Sequence, residues 1–257
     1  MIIYLISLEK DYERRRLITS SFPIYRKNFN WIKAIDGREL LAKEFFIYAN
    51  KYFKKNNKLI TPSEVGCALS HIEAYRKFLK TDEEYCLIFE DDIIGNDNDI
   101  VQIEKIMQLE KPNGLVLFGG QEGLPNDYWK YILAKKTNKL YLISDFSKKF
   151  LIRAHCYLVN RDTAKKLIES HKQEFHVADH WGELLKGINM YYIDLIKHPE
   201  DLSNSNIEQE RYSVYSIQHE IFNRNYIKGF FLKALNRFFN EIKRILVIMR
   251  GYKRIKK

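Results

Sequence analysis

The strongest chemical signal is the octapeptide Tyr85-Cys86-Leu87-Ile88-Phe89-Glu90-Asp91-Asp92, an apolar run that ends in three consecutive acids. Adjacent carboxylates repel one another unless a cation sits among them. A hard divalent ion such as Mn²⁺ or Mg²⁺ takes oxygen ligands, keeps open coordination positions and bridges the phosphates of a nucleotide diphosphate. The apolar run reads as a strand, and the end of a strand in an open α/β sheet is where ligands bind. A solvated loop cap would carry the same acids, so the octapeptide alone admits both readings.

The elements that would position these acids are legible on either side. Runs at Ile2 to Leu8, Asn30 to Ala34, Tyr85 to Phe89, Leu115 to Phe118, Leu151 to Val159 and Met190 to Leu195 are rich in β-branched and aromatic residues. Several are apolar without alternation, as in strands buried on both faces of a mainly parallel sheet. Helical stretches fall between them at Tyr12 to Ser20, Leu40 to Lys55, Pro62 to Lys80, Ile100 to Leu109, Asp162 to His171 and His180 to Lys186. The third is the best marked: Thr61 caps it, Pro62 suits its first position, and Glu64 completes a capping box. The alternation predicts an α/β fold. From Gln121 to Lys149 the pattern dissolves into Gly, Pro, Asn, Trp and Tyr, which predicts a substrate-facing loop or small excursion.

Composition narrows the classes. A chain of 257 residues, 46% hydrophobic, supports one substantial core. The net charge of +10 is concentrated at the end: residues 226–257 carry ten basic side chains against Glu241, leaving the body at +1. A nearly neutral body argues against a nucleic-acid groove. The three cysteines, Cys67, Cys86 and Cys156, are odd in number and widely spaced, which predicts buried free thiols. The N-terminus reaches Glu9, Lys10 and Asp11 too soon for a signal peptide, and no run approaches the ~18 apolar residues that span a bilayer. The expectation is a protein on the cytoplasmic side.

Several segments in order resemble glycosyltransferase family 25, the lipooligosaccharide-biosynthesis enzymes that include bacterial β-galactosyltransferases. They are Ile3 to Leu8 followed by Glu13-Arg14-Arg15, then Ala34-Ile35-Asp36-Gly37, then Thr61 to His71, then Leu87 to Asp92, and Ala154 to Val159. Together they span roughly the first two thirds of the chain. The resemblance implies a GT-A-like single Rossmann-type nucleotide-binding domain, a nucleotide-sugar donor with UDP-galactose the commonest, inverting transfer, and a DxD-like metal motif at Glu90-Asp91-Asp92. This chain has Glu at the first position, which leaves open which of the three carboxylates touches the metal.

Physical reasoning assigns further roles. A leaving nucleotide diphosphate needs its charge neutralised, and Arg14 or Arg15, after the first strand, would join the metal and the Glu90 and Asp91 carboxylates in binding the donor. A helix surface explains the same arginines. Inverting transfer needs a base near the acceptor hydroxyl, and the candidate is Asp179 in Val177-Ala178-Asp179-His180-Trp181. Asp179 suits a helix N-cap equally, and Trp181 suits either a sugar face or the core. Asp36 either contacts the nucleoside or makes the turn with Gly37. By analogy with other GT-A enzymes, His198 would join Glu90 and Asp92 as a metal ligand. His71 and His155 are as readily structural.

In the tail, Phe231, Leu235, Phe238, Ile242, Ile245 and Met249 recur at spacings of four and three, with Lys233, Arg237, Asn240 and Arg244 on another face. The chain therefore divides into a catalytic domain, residues 1–225, and a basic amphipathic helix, residues 226–257, suited to an anionic membrane surface. A terminal helix packed on the domain, or a dimerising one, has the same period. The expectation is a UDP-sugar:glycolipid or oligosaccharide transferase using Mn²⁺ or Mg²⁺, peripheral on the inner face of a bacterial inner membrane. Competing readings are a non-enzymatic basic peripheral membrane or nucleic-acid-binding protein, and the same fold with another nucleotide sugar. A collagen-type hydroxylysine galactosyltransferase, as found elsewhere in the family, would need a secretory signal.

Overall fold

The apolar runs pair into one nine-stranded sheet because they have two faces to bury. The computed structural model describes residues 1–201, 205–222 and 226–255, with backbone alone at 206, 215, 218–222 and 226–233. The first half runs β1 (Ile2–Ser7), α1 (Tyr12–Ser21), β2 (Phe29–Lys33), α2 (Ala42–Asn56), α3 (Pro62–Phe78), β3 (Tyr85–Glu90), α4 (Asp97–Glu110) and β4 (Leu115–Gly119). There follow α5 (Asn126–Trp129), β5 (Leu133–Lys136), β6 (Tyr141–Ile143), β7 (Cys156–Asn160), α6 (Arg161–Gln173), α7 (Trp181–Leu184) and β8 (Met190–Ile196). The chain closes with α8 (Asn206–Phe222), α9 (Tyr226–Met249) and β9 (Lys253–Arg254).

The strand order is β2-β1-β3-β7-β4-β8-β6-β5-β9. In the central six, β2, β1, β3, β4 and β8 point one way and β7 alone runs against them. This is the expected mainly parallel α/β sheet. Alternate residues serve opposite layers: Tyr4, Ile6, Cys86 and Ile88 join one core, whereas Ile3, Leu5, Leu87 and Phe89 join the other. The first core includes Ala74, Tyr75 and Phe78 of α3 with Ala164 and Leu167 of α6. The second includes Ile18 of α1 and Ile100, Ile103 and Met107 of α4.

Three expectations need correction. The expected loop or small excursion at residues 121–149 contains regular elements, α5, β5 and β6, and Tyr131, Phe146 and Phe150 pack ring on ring there. The run Leu151 to Val159 becomes a strand only at Cys156, because Arg153 adopts a left-handed backbone (φ 67°). The stretch His180 to Lys186 shortens to the single turn Trp181–Leu184. By contrast, the capping box forms as read: Thr61 accepts from the Glu64 amide at 3.1 Å, and Glu64 accepts from the Thr61 amide at 2.9 Å.

Two glycines hold the β2 loop on α3. A Cβ on Gly37 would lie 1.6 Å from the Pro62 carbonyl oxygen, and one on Gly66 would lie 2.4 Å from the Gly37 nitrogen. Backbone contact this close leaves no room for a side chain, so Asp36 is carried at a fixed position beside the first turn of α3.

Candidate active site

The acids at the end of β3 meet the chain segment after β8 although two strands separate them in the sheet. An isolated bridge joins them: the Ile94 amide donates to Lys197 O at 2.8 Å, and the Lys197 amide to Ile94 O at 3.0 Å. That bridge brings His198 Nε2 to 3.4 Å from Asp92 Oδ2. From the other side, α1 begins just past β1, so Arg14 in its first turn reaches both Asp91 Oδ1 and Asp92 Oδ2 at 3.0 Å. Burial, against the pull of Arg14, pushes the Asp91 carboxyl up to about 6. Burial also disfavours ionised Asp92, but hydrogen bonding and charge from His198, with help from Arg14, hold it down at about 2. His198 is in turn raised by Asp92, against its own desolvation.

Whether these residues suit a divalent cation can be tested on two observations. Asp92 Oδ1 is buried and has no hydrogen-bond partner among the described residues. His198 Nδ1 donates to the Pro199 carbonyl at 2.8 Å, which leaves Nε2 facing Asp92. A backbone carbonyl on one ring nitrogen is the arrangement that orients the other as a metal ligand. Asp92 and His198 therefore fit the ion, with Asp91 beside them.

Glu90 does not join that pair. Its Oε1 lies 2.9 Å from His71 Nε2 and 3.9 Å from Cys67 Sγ, and among the described residues these three form the set whose ligand atoms lie within 4.8 Å of one another. The expected trio of Glu90, Asp92 and His198 is thus split, because Glu90 and Asp92 leave the strand end in different directions. The Cys67 set is a poor metal site. Burial and the neighbouring Glu90 keep the thiol protonated, and both nitrogens of His71 are engaged.

His71 belongs to a directed chain. The Tyr75 hydroxyl lies 2.7 Å from the Tyr157 hydroxyl, which lies 2.7 Å from His71 Nδ1. With a carboxylate accepting at one end, a consistent proton order has Tyr75 donating to Tyr157, Tyr157 to His71 Nδ1, and His71 Nε2–H to Glu90. Burial raises both phenols, so they remain donors. The chain orients Glu90 from inside the core.

Two cavities open on either side of this constellation. The first, about 620 Å³, is lined by Asp179, Arg153, Lys149, Tyr128 and Arg211. The second, about 630 Å³, is lined by Ser7, Arg14, Asp36, Gly37 and Asp91 at the ends of β1, β2 and β3. Cys67, Glu90, Asp92 and His198 line both. Each is large enough for a small-molecule ligand.

The other predicted residues separate into those the cavities collect and those they do not. Asp36 faces the second cavity, but Arg38 at 2.8 Å and Lys10 at 2.6 Å hold it far below the usual carboxylate range. Its side chain also accepts from the Arg38 amide, so it makes the turn as well. Arg15 is absent from both linings. Its guanidinium donates to Ser7 Oγ and to the Leu8 and Glu9 carbonyls, and it stacks 4.4 Å over Trp31, clamping the β1 loop. Asp179 does not cap α7, whose N-cap is His180. Asp179 Oδ2 accepts from the Arg153 amide at 2.8 Å instead. Trp181 is fully buried against Tyr157 and donates to Arg153 O, so it offers no face to a sugar.

Arg153 is among the residues that sequence reasoning missed. Its left-handed backbone costs about 1–3 kcal/mol for a non-glycine residue, and such strain concentrates at functional sites. It aims the amide at Asp179 while the guanidinium grips Gly120 O and Glu122 O, each at 2.8 Å. Its place inside a run that looks like a strand gave no signal. His155, two residues further on, is buried and held down at about 3 by desolvation, with Gly120 pressed against its ring.

Comparison with known proteins bears on the family of the chain. The family model described as glycosyltransferase family 25 (LPS biosynthesis protein) matches residues 1–181. The chain belongs to glycosyltransferase family 25. An Aedes aegypti protein named a glycosyltransferase 25 family member is 28% identical over 178 residues, covering 65% of this chain and 28% of that protein. A Haemophilus influenzae protein, provisionally named a glycosyltransferase, is 27% identical over 236 residues, or 84% of this chain and 79% of its own length. A rat relative, 27% identical over 114 residues, covers 41% of this chain and 19% of that protein, and carries the word inactive in its name. Membership supports glycosyl transfer as the class of activity. The matched region holds the β3 acids, Asp179 and most of both cavity linings, and stops short of His198 and the terminal helices.

Proposed function

We propose that the chain is an inverting, divalent-metal-dependent sugar transferase. It moves a sugar, galactose in β linkage as the favoured case, from a UDP-sugar to lipooligosaccharide or a related surface glycan. The observation that carries this reading is the pair of cavities meeting at Glu90, Asp92 and His198. The second cavity, at the strand ends where α/β sheets bind nucleotides, suits the donor. The first, which holds Asp179, suits the acceptor. The family's description as an LPS biosynthesis protein supports the choice of acceptor.

Asp92 and His198 would hold Mn²⁺ or Mg²⁺, which supplies charge neutralisation for the departing diphosphate. Arg14 adds a second positive charge at the donor cavity. Asp179, braced by the Arg153 amide, would accept the proton of the attacking hydroxyl, and its Oδ1 accepts no hydrogen bond from the described residues. Glu90, steered by His71, lines both cavities and suits a hydrogen bond to a sugar hydroxyl.

The test is release of UDP from a panel of UDP-sugars by the purified chain, with Mn²⁺ and with chelator, in the presence of a lipooligosaccharide extract. Metal-dependent release selective for one sugar supports the proposal and names the donor. Absence of release from every donor by folded protein with a competent acceptor would reject it.

A further inference from the structure

Helix α9 meets the domain through its polar side. Val247 is buried, Lys149 donates to Asn240 Oδ1 at 2.8 Å, and the Tyr131 hydroxyl donates to Glu241 at 2.8 Å. Glu241 also pairs with Lys130 and Arg244. Past the helix the chain turns at Gly251 (φ 83°), β9 pairs with β5, and Ile255 is buried. At about 3.6 residues per turn, Phe238, Ile242, Ile245, Leu246 and Met249 form a stripe centred opposite Asn240 and Val247, with Glu241 at its border. They are 39% to 78% exposed, as is Leu235. A helix that packs on its own domain buries its apolar stripe; this one points it outward. The side chains of Lys228, Phe231 and Lys233, and residues 256 and 257, lie outside the described residues.

We propose that α9 is an interfacial docking helix whose outward apolar face enters an anionic bilayer surface while its polar face grips the edge of the sheet. Charge selects the occupant. Over residues 234–255, Arg237, Lys243, Arg244, Arg250, Lys253 and Arg254 stand against Glu241 alone, and Glu241 is already paired. A second copy seated on this face would bring like charges together, whereas anionic headgroups would neutralise them. No helix among the described residues is long and apolar enough to cross a membrane, which suits a helix lying in the interface. Lys149, bonded to α9, also lines the first cavity, so docking would hold that cavity beside the membrane. This last point rests on reading that cavity as the acceptor site.

The experiment is sedimentation of the full chain with vesicles of phosphatidylglycerol and phosphatidylcholine, and with phosphatidylcholine alone. The variant is Phe238→Ser with Ile245→Ser and Met249→Ser, with thermal unfolding as a control for fold. The wild-type chain is expected to pellet with anionic vesicles, less so at high salt, and the variant to lose binding by at least about tenfold at unchanged unfolding temperature. Lys243→Glu with Arg250→Glu is expected to weaken binding to anionic vesicles alone. Equal binding by variant and wild type, no binding by the wild type, or a dimer in solution that the serine variant dissolves would each overturn the proposal. Vesicle binding is read without donor or acceptor, so its failure is distinguishable from failure of the transferase reading.

Discussion

Tyr157→Phe tests the buried chain that orients Glu90. The substitution keeps the ring and its edge contact with Trp181 but removes a hydroxyl that lies 2.7 Å from both Tyr75 Oη and His71 Nδ1. Tyr75 and His71 are each only 1% exposed, so water cannot replace the lost partner. Leaving a buried polar group unsatisfied costs ~1–3 kcal/mol, and two such groups give about 2–6 kcal/mol. For a chain of this size that corresponds to a fall in unfolding temperature of roughly 4–24 °C. The assay is urea and thermal unfolding of the single variants and of Tyr75→Phe with Tyr157→Phe. Because Tyr75 donates only into this chain, its loss should matter less once Tyr157 is gone, with a coupling of at least about 1 kcal/mol. Strictly additive costs, or a single-variant cost below ~0.5 kcal/mol, would show that the hydroxyls do not form one chain. Donor turnover in folded Tyr157→Phe should fall as well, by about tenfold, because His71 no longer holds Glu90 in one orientation.

Three further outcomes follow from the site. Asp92→Ala should lower metal-dependent donor cleavage by at least about 100-fold while circular dichroism stays native, and retained activity would remove Asp92 from the site. The two neighbouring arginines should part company: Arg14→Ala should raise the KM for donor, whereas Arg15→Ala should lower the unfolding temperature with donor affinity intact, read by titration and calorimetry together. Burial holds His155 and His171 down at about 3, far below the ordinary 6.5, so both stay neutral in the folded chain while the unfolded chain takes up protons. Their contribution is therefore present above 6.5 and is lost as pH falls towards 3, and an unfolding temperature that stays flat over that interval would contradict the assignment.

Much of this protein was legible from local pattern. Six apolar runs marked the six central strands, and Thr61, Pro62 and Glu64 marked the start of α3, because strand burial and helix capping are decided within a few residues. The acids of Glu90-Asp91-Asp92 marked a candidate ligand site but suited a solvated loop cap equally; the approach of Arg14 and His198 to Asp92 is what the structure adds. The short strands β5 and β6 were not legible, since their stability comes from edge pairing and from the Tyr131, Phe146 and Phe150 cluster rather than from alternation. Nor was the partition of roles among neighbours. Arg14 and Arg15 are adjacent in sequence, yet one turns to Asp91 and Asp92 and the other to the β1 carbonyls. Glu90 and Asp92 part in the same way, one to His71 and one to His198. The left-handed turn at Arg153 and the outward stripe of α9 depend on what packs against them. Sequence alone determined which residue types were present and the period at which they recur; the direction each side chain takes was decided by contacts between segments far apart in the chain, such as the bridge of Ile94 to Lys197, and only tertiary structure brings those together.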